Sequence, residues 1–128
     1  MLEVDIVGPP LTGGVLEQVE IERLCALAAA TAGVEDGHVA VEFVGAARIA
    51  ELNLEHRGKA GPTDVLSFPI DEDGDALGPR ELGDVVICAE HTEDLREAVV
   101  HGVLHLVGMD HERDDGEMLA LQRELLSW

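Results

Sequence analysis

The chain reads as a single α+β domain. Stretches of two-residue alternation, the signature of half-buried strands, are interleaved with stretches of three- and four-residue periodicity, the signature of amphipathic helices. Its 128 residues suffice for one sizeable core, and no internal repeat or low-complexity linker divides them. One apolar stretch, Ala98 to Met109, carries two histidines inside it and is the expected centre of the domain's chemistry.

In chain order, Leu2 to Val7 alternates apolar and acidic residues and is a first strand, ended by Gly8, Pro9 and Pro10. Val15 to Ala32 is an amphipathic core helix, with Val15, Leu16, Val19, Leu24, Leu27 and Ala28 at helical spacing and Gly33 closing it. A second strand follows Gly37, with Val39, Val41 and Phe43 on one face and His38 exposed at its start. Ala46 to His56 is a short helix with Ile49, Leu52 and His56 near one side. It runs into a basic turn, Arg57 to Pro62. Thr63 to Pro69 is a strand entering a turn. Asp71 to Asp75 resembles a calcium loop only superficially, because its glycine is misplaced for an EF-hand, and it reads as a solvated turn. Leu82 to Cys88 is apolar enough to be a central strand, with Asp84 either a turn residue or near a cleft. Thr92 is the expected N-cap of a helix from Glu93 to Val107, and His91 is expected to be exposed. Asp114 or Asp115 then caps a last helix, with Met118, Leu121 and Leu125 turned inward.

The chemistry concentrates at His101, His105 and His111. Histidines four apart share a helix face and can reach one ion at about 2.0–2.1 Å each. Gly108 is placed to end the helix in a left-handed conformation, so that the returning chain brings His111 back toward the pair. Three imidazoles leave a fourth position open, the pattern of a catalytic rather than a structural zinc. Nickel or another divalent transition metal suits the same donors. The competing reading is three core histidines hydrogen-bonded to neighbours. Zinc proteases of this spacing carry Glu directly after the first His as general base; here that residue is Gly102, which disfavours proteolysis and leaves open space beside the metal. In the basic turn, Arg57 offers a planar fork of donors suited to phosphate and Lys59 a second cation, against the alternative of an ordinary solvated loop.

Composition sets the outer bounds. The net charge is −19, with seven arginines and one lysine, so any nucleic-acid contact has to rest on a local cluster. No run approaches the roughly 18 apolar residues of a membrane span. The first residues lack the pattern of a signal peptide, and Cys25 and Cys88 read as small buried hydrophobes in a reducing cytosol.

Four ordered motifs carry a resemblance: Arg57, Gly58 and Lys59; Pro62 to Pro69; Leu82 to Cys88; and His101 to His111. Together they resemble the YbeY family of bacterial rRNA maturation factors, metal-dependent endoribonucleases, over most of the chain. The resemblance implies a mixed four-stranded sheet packed against helices, with the metal-binding helix central in a metzincin-like core. It implies zinc on His101, His105 and His111, and a functional arginine at Arg57. It further implies cytoplasmic action on single-stranded RNA, in maturing the 3′ end of small-subunit ribosomal RNA and in ribosome quality control. His56 departs from the pattern, standing where family members often have an aromatic residue. Two other classes stay open at this point: a zinc metallopeptidase-like hydrolase, and a non-catalytic ribosome assembly factor whose metal only staples the fold.

Overall fold

The computed structural model describes residues 2–8, 18–70, 80–109 and 116–127. Strands β1 (Leu2–Val7), β2 (Gly37–Phe43), β3 (Val65–Pro69) and β4 (Arg80–Ile87) form one sheet in the order β1-β2-β4-β3. The first three positions in that order run parallel and β3 is antiparallel, so the sheet is mixed. β4 lies in the middle, as its apolar run requires. The helices are α1 (Gln18–Ala30), α2 (Ala46–Arg57), α3 (Leu95–Leu106) and α4 (Glu117–Leu126).

The period of two in each strand decides what covers each face. Val39, Val41, Val85 and Ile87 face the main core, which α1, α3 and α4 fill with Ile21, Leu24, Ala28, Val99, Val103, Met118 and Leu125. The intervening residues Leu66, Val86 and Cys88 face the other way, where α2 covers them with Ile49 and Leu52. Thus α2 and α3 lie on opposite faces. Cys25 and Cys88 are both buried, and burial pushes the Cys25 thiol up to about 12.

Several boundaries differ from expectation for identifiable reasons. Asp94, not Thr92, caps α3, because the Asp94 side chain accepts from the Arg96 and Glu97 amides while Thr92 Oγ1 donates to Cys88 O at 2.7 Å. Val19 is 72% exposed rather than core, since α1 turns Ile21, Leu24 and Cys25 inward instead. His38 is not simply exposed: its ring is held between Glu81 at 2.8 Å and Asp5 at 2.7 Å. Asp84 is no turn residue; it sits within β4, opposite Phe68 of β3 and Ala40 of β2. Met118 packs in the core and His91 is exposed, both as expected. Val15, Leu16, the Asp71–Asp75 turn, Asp114 and Asp115 lie outside the described residues.

Candidate metal and RNA site

The α3 helix sets the histidine pair. Its apolar residues Ala98, Val99, Val103 and Leu106 bury against the sheet and α1, which turns His101 and His105 toward the half-buried side shared with α4. The two Nε2 atoms stand 3.2 Å apart, with the rings inclined at 74°. Two nitrogens on one tetrahedral ion, each at about 2.0–2.1 Å, are separated by about 3.3 Å. The pair therefore has the spacing that a shared ion requires. His101 Nδ1 lies 2.8 Å from Gln122 Oε1 of α4. An amide oxygen only accepts, so Nδ1 carries the proton and Nε2 is the acceptor nitrogen of the ring, the arrangement by which an outer partner fixes the tautomer of a histidine able to ligate a metal. His111 lies outside the described residues, and among those described no group of three or more donors gathers around one point.

The helix ends as the Gly108 reading requires. Gly108 has φ +102°, its amide donates to His105 O, and the Met109 amide donates to Leu104 O. These two bonds turn the chain just past Leu106, the last residue of α3.

Gly102 has a different meaning from the one expected. A Cβ there would lie 2.4 Å from Val85 Cγ1, so the missing side chain is not open space beside a metal. It is the contact that seats α3 on β4. A glutamate at this point has no room in the helix–sheet interface, and the peptidase base is therefore excluded by packing as well as by sequence.

Arg57 and Lys59 are exposed at the end of α2 and in the loop beyond, where Gly58 closes the helix in a left-handed conformation. Among the described residues neither forms an ion pair, which leaves both cations for a ligand. Among the described residues they make no hydrogen bond to His101 or His105. The two halves of the site meet instead through β3. Ser67 Oγ donates to Gly102 O of α3 at 3.0 Å, and the next residue, Phe68, packs edge-to-face against His56 of α2 at 4.7 Å. The histidine helix and the cationic helix end thus flank one stretch of an edge strand, from opposite faces. Gln122 and Ser67 were not foreseen as site residues. The readable signal for Gln122 was a polar residue four after Met118 and three before Leu125, on an otherwise apolar stripe.

The Endoribonuclease YbeY family model matches residues 16–128. The chain belongs to the YbeY family. Endoribonuclease YbeY of Bacillus subtilis is 38% identical to it, over 98% of this chain and 94% of that protein. The corresponding protein of Geobacillus kaustophilus is 42% identical, covering 87% of this chain and 86% of its own. The solution structure of TM1509 from Thermotoga maritima superposes with a TM-score of 0.58 at 28% identity, over 97% of this chain and 87% of that one. No described helix is long and apolar enough to cross a membrane.

Proposed function

We propose that this chain is a zinc-dependent endoribonuclease of one domain, residues 1–128, acting on single-stranded RNA. The observation that carries the reading is the His101–His105 geometry, with facing Nε2 atoms 3.2 Å apart and one ring already oriented by Gln122, in a chain of the YbeY family. His111 completes the ligand set in this proposal. A divalent ion bound there supplies Lewis acidity toward a phosphoryl oxygen and a water molecule of lowered pKa. Arg57 stabilises charge growing on the phosphoryl oxygens, and Lys59 holds a neighbouring phosphate of the strand. Gln122 keeps the His101 proton on Nδ1, and Ser67 keeps the histidine helix seated against the strand between the two halves. The metzincin-like arrangement of helix and turn, the cytoplasmic setting, and a part in 3′-end maturation of small-subunit ribosomal RNA and in ribosome quality control belong to the same proposal. They rest on the family.

The test joins metal analysis to cleavage of a single-stranded RNA. Wild type is expected to carry about one zinc per chain and to cleave, with activity abolished by chelation. Arg57→Ala is expected to stay folded and loaded while losing on the order of 100-fold in kcat/KM. Cleavage that survives both metal removal and Arg57→Ala refutes the reading.

A further inference from the structure

The loop that follows α2 is built around one buried amide. Asn53 is 4% exposed and lies one turn after Ile49, on the face that α2 turns to the protein. Its Nδ2 donates to Gly61 O at 2.9 Å, and its backbone carbonyl accepts the Lys59 amide at 3.4 Å. Because Gly61 O can only accept, the amide group has one permitted orientation, and Oδ1 is left buried without a donor among the described residues. A leucine of the same shape removes the orphan Oδ1 and releases only Gly61 O, whose residue is exposed to water. Leaving a buried acceptor unsatisfied costs about 1–3 kcal/mol, whereas an exposed carbonyl that loses its partner is hydrated, so helix stability alone gives little reason for an asparagine at this position. What it does is tie Gly61 down across the span that contains Arg57 and Lys59.

We propose that Asn53 is the positioning residue of the basic loop, fixing the path of residues 57–61 so that Arg57 and Lys59 face RNA phosphates together. This rests on the RNA-cleaving reading above. Asn53 touches no substrate; it acts through the two cations. Without the bond to Gly61, the loop samples many conformations and the cations bind phosphate with a larger ordering cost.

The test compares wild type with Asn53→Leu, and with Asn53→Asp as a second variant that turns an oxygen toward Gly61 O. Amide hydrogen exchange across residues 58–61 is expected to accelerate in both, with α3 unchanged. Asn53→Leu is expected to melt within a few degrees of the wild-type temperature and keep its metal. KM for single-stranded RNA should rise on the order of tenfold. In an Arg57→Ala, Lys59→Ala background the same change should alter kcat/KM by less than about twofold, as expected for residues acting as one unit. An unchanged exchange rate in the loop overturns the proposal, as does a full additive loss in that background. Wild type that leaves RNA intact refutes the RNA reading instead, and the exchange measurement then decides the loop-holding part by itself.

Discussion

At the scale of single residues, the site depends on atoms that are placed by neighbours from other elements. Gln122 Oε1 holds the proton of His101 on Nδ1, which leaves Nε2 as the nitrogen that would ligate the proposed ion. Gln122→Leu keeps the volume of the buried side chain and removes the acceptor. It is expected to lower metal affinity by about 10- to 100-fold with little change in melting temperature of the metal-free protein, measured by competition with a chromogenic chelator. Gly102 is the opposite case, a position defined by lack of space. Gly102→Ala drives a methyl into Val85 and is expected to cost about 1–3 kcal/mol in denaturant unfolding. A neutral result there would mean that α3 is seated more loosely on β4 than its contacts imply. The histidine spacing was legible from sequence because a helix converts separation by four into contact. Gln122 and Asn53 announce themselves differently, as polar residues on apolar stripes, and residue type alone does not name the partner that makes burial tolerable.

Among the elements, α3 is held at its start by the Asp94 cap and near its end by Gly108. Asp94 and Thr92 are both good capping types, and sequence gives no reason to prefer one. Three-dimensional contact resolves it, because the Thr92 hydroxyl is engaged by Cys88 O. Asp94→Ala should therefore cost about 1 kcal/mol, and Thr92→Ala should not reproduce the loss of helix-end protection seen by hydrogen exchange. A second element-scale feature is the bridge of His38 across β1, β2 and β4. Hydrogen bonding to Glu81, and then to Asp5, raises the His38 pKa above its ordinary value, outweighing the opposing effect of desolvation. With the folded value raised, protonation favours the folded state. The contribution is complete below the unfolded value of about 6.5 and disappears as pH climbs through the higher folded value. The stability difference between wild type and His38→Gln is thus expected to be largest near pH 6, at about 1 kcal/mol or less, and to vanish on the alkaline side. A difference that grew with pH would contradict the bridge.

For the whole molecule, strands and helices were readable from local periodicity, whereas the order β1-β2-β4-β3 was not, since pairing between distant segments leaves no local trace. The resemblance supplied the mixed sheet; register and the division of the two faces between α2 and α3 came only with the fold. Charge is the remaining property of the whole chain. A net charge of −19 repels both itself and RNA, while Arg57 and Lys59 supply the attraction proposed for the site. Each phosphate neutralised on a single strand contributes a slope of about −0.7 in log affinity against log salt, so two cations allow no slope steeper than about −1.4. Screening of the surrounding carboxylates flattens it further. Added sodium chloride is expected to raise the melting temperature by relieving self-repulsion, while weakening RNA binding only shallowly. Fluorescence anisotropy with a labelled single strand measures the slope, and Lys59→Ala should reduce its magnitude by about 0.7. A wild-type slope beyond about −4 would require some six phosphate contacts, far more than the two cations of this loop provide, and would move the RNA-binding surface elsewhere on the protein.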